Sequence, residues 1–329
     1  MQQTALHIDN LCVGYGKKRI LNNLNLNLRA GELTCLLGPN GSGKSTLIRS
    51  ISGVQQVLEG QVLLKQKVLS SFSKKDIARE IGLVLTDNQA PGNLTVFALV
   101  ALGRFPYTSW LGNLSDQDKE VIERSLEAAG VLAMADRHVG ELSDGEKQKV
   151  MIARALAQET DVLILDEPTA HLDSPNRIEI FHLLKDLAVR SNRAILISTH
   201  DIETALTYAD ILWLVNQGSI TTGIPEDLVL KGHLEEAFKT VNVHFSYERG
   251  GFVRSIAEKK RPIRLEGDMP IVHWVERALL RSGYFVSPEE GQKITVSGTM
   301  STPEMRIEGS EDIFKNIEQL LSKLKNEEN

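Results

Sequence analysis
The residues best suited to chemistry stand side by side at Gly38-Pro39-Asn40-Gly41-Ser42-Gly43-Lys44-Ser45, a complete match to glycine, four free positions, Gly-Lys, then serine or threonine. Glycines let a backbone fold closely around an anion, so successive N–H groups and the N-terminus of a following helix point at phosphate oxygens. Lys44 supplies a mobile positive charge to β- and γ-phosphates, the Ser45 hydroxyl suits Mg2+, and Thr46 continues the same turn. A chance glycine-rich turn is the bland alternative. Context disfavours it, because the apolar stretch Leu33 to Leu37 runs into the turn and a helix is expected from about Lys44. The spacing predicts a cradle for a nucleotide's triphosphate tail and its magnesium ion.

A pair of carboxylates, Asp166 and Glu167, ends a second apolar run, Val162–Leu165. One carboxylate there can hold Mg2+ and its neighbour can orient an attacking water. Adjacent strand residues point to opposite faces, so the two are assigned different roles: Asp166 to the metal, Glu167 to general base or water positioning. A strand capped by a solvated acidic turn is the competing reading, and only the glycine-rich turn upstream weighs against it. A third run, Ala194–Ser198, ends in Thr199-His200-Asp201, which places an imidazole at a strand's carboxyl end. A lone histidine is more often structural than catalytic, so His200 draws its interest from that position.

These residues need elements to hold them. The stretch Asn23 to Leu28 alternates asparagine with leucine and suits a half-buried strand. Helices are expected over Val96–Leu102 and Asp116–Ala129, and a strand over Gly82–Leu85. Strands alternating with helices argue for a parallel sheet with its chemistry at the strands' carboxyl ends. After about residue 255 the texture changes. EKKRP at 258–262 reads as linker, followed by strands near Ile263–Leu265, Phe285–Ser287, Ile294–Ser297 and Met305–Ile307, with helices near Ile271–Arg281 and Glu311–Leu324.

Composition narrows the class. The chain has 329 residues, 42% of them apolar, enough for one large core or two ordinary ones. A net charge of −6 gives no general basic surface for nucleic acid. Cys12 and Cys35 have neither CxxC nor metal spacing and are expected to be buried, reduced thiols. The N-terminus has no basic flank before an apolar run, and no stretch approaches about 18 apolar residues, so any membrane role requires a separate membrane partner.

Five further segments narrow the nucleotide site: Leu142-Ser143-Asp144-Gly145-Glu146, Leu163 to Pro168, His171-Leu172-Asp173, Ser198 to Asp201, and Gly14-Tyr15-Gly16. In order and spacing the chain resembles the ATP-binding-cassette (ABC) ATPases over roughly residues 4–255. The resemblance implies an α/β P-loop cassette over 1–255, with a parallel-sheet core, an N-terminal antiparallel β subdomain and a helical signature subdomain at about 88–160. A linker at 256–262 and a small α+β appendage at 263–329 would follow, the appendage resembling no family and open to regulation, dimer stabilisation or passive packing. It also implies ATP and Mg2+ as ligands, Tyr15 stacking on adenine, His200 as the switch histidine, and Asp173 as the D-loop aspartate. Ser143 and Gly145 would meet the γ-phosphate of ATP held by a second copy, in a head-to-tail homodimer. Ser143-x-x-Glu146 before KQKVMIARALA is also a capping box, which predicts a helix start whatever the function. For Tyr15, packing on the sheet edge is a rival to stacking, and His171 reads as a surface or dimer-contact residue.

Two positions depart from the family pattern. Asp144 and Glu146 stand where glycine and glutamine are usual; acids suit a helix N-terminus but repel an approaching phosphate. The family's glutamine-loop residue, a Mg2+ and coupling group, aligns with Thr86, with Gln89 as a nearby substitute. The segment from Leu94 through Gly103-Arg104-Phe105-Pro106-Tyr107 to Leu114-Ser115 is similar to ATPases of ferric-siderophore, haem and cobalamin importers. Its aromatics, Phe105, Tyr107 and Trp110, form a docking surface or pack locally. The resemblance implies a peripheral subunit on the cytoplasmic face of the cell membrane, working with integral permease subunits and indirectly with a substrate-binding protein. A soluble ABC ATPase acting as an assembly or regulatory factor is the alternative. A module that binds without hydrolysing conflicts with intact Lys44, Asp166, Glu167 and His200.

Overall fold
The structure is a computed structural model and describes residues 3–85, 92–108, 113–239, 243–247, 250–254 and 261–326. The chain forms two compact units, Met1–Arg254 and Ser255–Asn329.

In the first unit, β1 (Thr4–Tyr15) and β2 (Lys18–Arg29) form a hairpin, and the chain then enters β3 (Leu33–Leu37) and α1 (Lys44–Ile51). Strands β4 (Glu59–Leu64) and β5 (Lys67–Val68) return to the hairpin and complete an antiparallel sheet in the order β2-β1-β4-β5. Helix α2 (Lys74–Glu80) leads into β6 (Ile81–Val84), and a helical layer follows: α3 (Val96–Ala101), α4 (Asp116–Ala128) and α5 (Asp144–Leu156). The chain continues through β7 (Val162–Asp166), α6 (Ser174–Ser191), β8 (Ala194–Thr199), α7 (Ile202–Tyr208), β9 (Ile211–Asn216) and β10 (Ser219–Gly223). The main sheet has the order β10-β9-β3-β8-β7-β6 and is parallel except for the β9–β10 hairpin. Helices α8 (Pro225–Leu230) and α9 (His233–Phe238) and the hairpin of β11 (Val243–Ser246) with β12 (Gly251–Arg254) end the unit.

The apolar runs read as buried strands have both faces covered. Ile164, Leu196, Trp213 and Val215 pack toward the antiparallel sheet and α1. Their strand neighbours Leu165, Ile197, Leu212 and Leu214 pack toward the helical layer and α6. Two-sided burial explains why the central strands read as continuous apolar stretches rather than alternating ones. In β2, by contrast, Leu24, Leu26 and Leu28 are buried while Asn25 and Asn27 face water, as alternation requires. Both cysteines are buried and unpaired, and burial pushes the Cys35 thiol up, keeping it neutral.

The Gly103-Arg104 step is a packing device. A Cβ on Gly103 would lie 2.2 Å from the Arg154 carbonyl oxygen, so only glycine lets the end of α3 approach α5 this closely. Arg104, 4% exposed, donates to Asp118 Oδ1 at 2.8 Å, to the Ala157 carbonyl at 2.8 Å and to Glu159 Oε2 at 2.7 Å. One guanidinium thus ties the ends of all three helices of the layer. Tyr107 packs locally: its ring lies 4.2 Å from the Arg104 guanidinium and its hydroxyl donates to the Gln158 carbonyl. Phe105 is 78% exposed, and Trp110 lies outside the described residues.

The second unit contains β13 (Arg261–Gly267), α10 (Ile271–Arg281), β14 (Tyr284–Val286), β15 (Gln292–Gly298), β16 (Pro303–Ile307), β17 (Ile313–Phe314) and α11 (Ile317–Asn326). Its sheet runs β14-β13-β15-β16-β17, with both helices packed on the face that carries Ile263, Ile294, Val296, Met305 and Ile307. The final helix starts at Ile317 rather than Glu311, because the intervening Ile313-Phe314 pairs with β16 as a fifth strand.

The Ser115 hydroxyl and N–H, followed by Arg104, hold the buried Asp118 carboxyl at about 2, below its ordinary range. A carboxyl depressed on folding contributes stability present above its unfolded pKa of about 4 and lost as pH falls toward 2. Asp118→Asn is therefore expected to lower stability at neutral pH and to flatten the loss between about pH 4 and pH 2, read from urea midpoints. An acid limb as steep as the parent's would uncouple this carboxylate from folding.

Candidate nucleotide site
The turn predicted as a phosphate cradle lies between β3, buried throughout, and α1. Gly41 and Gly43 have φ of 76° and 105°, left-handed values that glycine adopts without strain and that anion-binding nests use. A Cβ on Gly43 would sit 2.5 Å from Ile20 Cγ2, so the loop also requires glycine for its fit against β2. Gly43 caps α1 with no side-chain bond, leaving the first-turn N–H groups open to an outside acceptor. Ser42 Oγ is buried without a hydrogen-bond partner. An anion in the nest would satisfy both needs. Pro39, Asn40 and Ser45 are exposed, whereas Gly38 and Thr46 are buried.

Lys44 is 6% exposed and donates to the Gly38 carbonyl at 2.8 Å and the Pro39 carbonyl at 3.2 Å. Burial lowers its pKa, against an opposing pull from Glu167 and Asp166. Tyr15 is 52% exposed, and its hydroxyl accepts from Thr46 Oγ1 at 3.3 Å, so this ring borders the loop. A cleft of about 640 Å3 walled by Arg49, Gln55 and Val57 opens beside it.

The carboxylates occupy the end of β7, separated from β3 by β8. Asp166 closes β7, 5% exposed, and its Oδ1 accepts from Ser198 Oγ at 2.5 Å. Glu167 does not follow the strand's alternation, as the sequence reading assumed; it breaks out of β7 with φ 48°. Its N–H donates to Ser198 Oγ at 2.9 Å and to the Ser198 carbonyl at 3.1 Å, which holds this left-handed turn. Glu167 Oε2 stands 3.5 Å from His200 Nδ1, so two of the proposed catalytic side chains are in contact. Ser198, 0% exposed, is the residue that sequence reasoning missed as a working part. Its polarity inside an otherwise apolar strand was the available signal.

The remaining predicted residues cluster at helix N-termini. Ser143 caps α5 in the predicted capping box: Glu146 N–H donates to Ser143 Oγ at 3.3 Å, and Ser143 N–H donates to Glu146 Oε2 at 2.7 Å. The Ser143 hydroxyl also donates to that carboxylate, at 2.9 Å, which with the backbone bond lowers the Glu146 pKa. Asp173 caps α6 through the Asn176 N–H at 3.1 Å. Gly145 packs on that helix start, where a Cβ would meet Asn176 Oδ1 at 2.9 Å. Ser143 is exposed, as is His171, which has φ 70°. Thr86 and Gln89 lie outside the described residues.

Among the described residues no three His, Cys, Asp or Glu side chains converge as a ready-made metal cage. A magnesium ion needs none, because it is commonly held by one or two protein oxygens together with substrate phosphates. The exposed Ser45 hydroxyl and Asp166 are of the right chemistry.

A parallel sheet that delivers a glycine-rich nest and a buried lysine to the end of one strand, and two carboxylates to the end of the next but one, defines a P-loop nucleoside-triphosphate-binding protein. Comparison with known proteins refines this class. The ABC transporter family model matches residues 21–170, and the iron ABC transporter C-terminal domain model matches residues 260–325. An uncharacterised ABC transporter ATP-binding protein of Methanocaldococcus jannaschii is 43% identical over 248 residues, covering 75% of this chain and 86% of that protein. The probable siderophore transport system ATP-binding protein YusV of Bacillus subtilis is 39% identical, covering 72% of this chain and 87% of its own. Among solved structures, a transporter assigned to the metal-chelate type superposes with a TM-score of 0.66 at 26% identity, over 78% of this chain and 99% of that one. The chain belongs to the ABC transporter ATP-binding proteins and is an ATP-binding ATPase of that family. The appendage, which resembled nothing from sequence, is the segment that the iron ABC transporter C-terminal domain model matches.

Ser198→Ala removes one partner from the buried Asp166 carboxylate and one from the Glu167 N–H. A loss of about 1–3 kcal/mol in unfolding free energy is expected from denaturant titration. Unchanged stability would mean that the serine is not the tie between these strand ends.

Proposed function
We propose that this chain is the ATP-hydrolysing subunit of an importer of iron chelates, ferric siderophore or haem, acting as a homodimer on integral permease subunits. The observation that carries the reading is the combination, in one chain, of an ABC cassette with an iron ABC transporter C-terminal domain. That second domain favours an iron chelate over cobalamin, and the siderophore-transport name of one relative agrees. No helix among the described residues is long and apolar enough to cross a membrane, which is compatible with a peripheral subunit on the cytoplasmic face. Phe105, exposed beside the Arg104 tie, supplies an apolar contact for the permease. A periplasmic or surface substrate-binding protein would act only indirectly.

Within the site, the backbone N–H groups between Asn40 and Thr46 and the Lys44 ammonium bind the polyphosphate of ATP, and Tyr15 stacks on the base. Ser45 and Asp166 would hold Mg2+, whose charge neutralises the phosphates when bound; Thr86 or Gln89 is a further candidate for that shell. Glu167 positions and deprotonates the attacking water, and His200, in contact with Glu167, holds that carboxylate in place and faces the γ-phosphate. Ser143, Gly145 and Asp173 are offered to a second copy. Their support is the exposure of Ser143 and the packing of the α5 and α6 N-termini against each other.

Glu167→Gln is expected to cut steady-state ATP hydrolysis by about 10²–10⁴-fold while ATP still binds and holds two copies together in sizing chromatography. Undiminished turnover would remove Glu167 from the chemistry. Lys44→Ala is expected to weaken ATP binding itself in equilibrium dialysis, and normal affinity would contradict the cradle. Purification from solubilised membranes should bring down a many-spanning partner, and uptake of labelled ferric siderophore should depend on this chain. Recovery only in a soluble complex would instead support an assembly or regulatory factor.

A further inference from the structure
Helices α10 and α11 lie on the same face of the C-terminal sheet, and an open groove of about 790 Å3 runs between them. Trp274, Arg277 and Arg281 line it from α10, and Glu318, Leu321 and Lys325 from α11. Each set follows the three-to-four-residue spacing that places side chains on one helix face. On α10 this is not the face that carries Ile271, Val275 and Leu279 into the core. Trp274 is accordingly 48% exposed, with the Arg277 guanidinium 5.2 Å from its ring centroid.

The charge distribution in this unit is uneven. On the sheet's open face, Lys293 pairs with Glu266, Arg264 with Glu308 and Arg306 with Glu304, and at α11 Lys323 pairs with Asp312. Among the described residues of this unit, Arg277, Arg281, Lys315 and Lys325 make no ion pair, and all but Lys315 line the groove. Glu318 is the one carboxylate in its lining, which leaves an excess of two positive charges there. Trp274, Arg277, Arg281 and Lys325 are all exposed, so the indole and the three cations are presented to solvent rather than committed to the core.

We infer that this groove binds a small planar ligand carrying two or more negative charges. Its ring packs beside Trp274, and its carboxylate, sulfonate or phosphate groups meet Arg277, Arg281 and Lys325. Guanidinium groups take such oxyanions in bidentate fashion, and an indole offers a flat apolar surface beside them. The volume falls in the range of about 300–1,000 Å3 typical of small-molecule sites. Nucleotides and aromatic acids share this chemistry. The inference stands apart from the transport reading, since it uses only residues of the C-terminal unit.

The test titrates the full-length chain with two probes, naphthalene-1,5-disulfonate and AMP, followed by calorimetry and by the Trp274 indole N–H resonance, identified as the one lost in Trp274→Phe. Saturable binding of at least one probe is expected, with a shift of that resonance in the unaltered chain. Affinity should fall about tenfold or more in the Arg281→Gln/Lys325→Gln variant, as removal of charge-assisted bonds requires. A Trp274 shift with AMP alone assigns the site to phosphate-bearing heterocycles, and a shift with the disulfonate alone to aromatic acids, whereas AMP taken up by the cassette leaves that resonance in place. No saturable shift of the Trp274 resonance with either probe at millimolar concentration overturns the inference. So does a shift that survives the double substitution unchanged in a variant with parental melting temperature.

Discussion
A positive charge held in a nearly dry turn is the constraint around which the cassette is arranged. Lys44 is buried and tied to two loop carbonyls, which solvate it without neutralising it. Burial alone disfavours the ammonium, and the acidic groups that oppose this are Glu167 and Asp166 at the end of another strand. The two strand ends do not touch directly, because β8 lies between β3 and β7. Ser198 of that middle strand is in register with Leu36 on one side and Asp166 on the other. Its hydroxyl therefore fixes the carboxylates at a set offset from the lysine. A polyphosphate entering the nest meets a preorganised field rather than one it must assemble.

Much of this was legible in the sequence, for reasons that differ by residue. The glycines of the nest announce themselves because two of them, Gly41 and Gly43, occupy conformations other residues rarely adopt. The central strands were legible because burial on both faces leaves unbroken apolar runs. The conformation of Glu167 was not, since nothing in Asp-Glu-Pro says that the chain leaves the strand between its two acids. It depends on Ser198, thirty-one residues away in sequence. The strand Ile313–Phe314 was equally hidden, being two residues long and too short for any period to register.

The Gly103-Arg104 step shows how a motif can be matched for one reason and retained for another. It was read as a marker of importer ATPases and as the start of an aromatic docking loop. In the fold, Gly103 permits contact between α3 and α5, while Arg104 gathers Asp118, Glu159 and the Ala157 carbonyl. Removing either would loosen the helical layer whether or not a permease binds there. Of the aromatics that follow, Tyr107 belongs to this packing, and Phe105 alone among the described ones is left facing water to the extent that docking requires.

The same reasoning resolves the acidic signature. Glu146 was expected to repel an approaching phosphate, yet its carboxylate is turned back onto the Ser143 N–H and hydroxyl and stands 3.6 Å from Arg137. Asp144 lies 3.6 Å from Lys147 and is otherwise open to water, where its field is screened. The acids thus serve the start of α5, satisfying donors that any helix N-terminus must satisfy. What this arrangement engages is the Ser143 hydroxyl proton, which cannot be donated to a carboxylate and to an incoming phosphate at once. In the proposed dimer, a glutamate at this position would therefore place its own hydrogen bond to Ser143 and the phosphate contact in competition for one hydrogen. The local rule that makes the helix start legible in the sequence is also the one that would set, in the proposed dimer, how readily that start is given up to a partner.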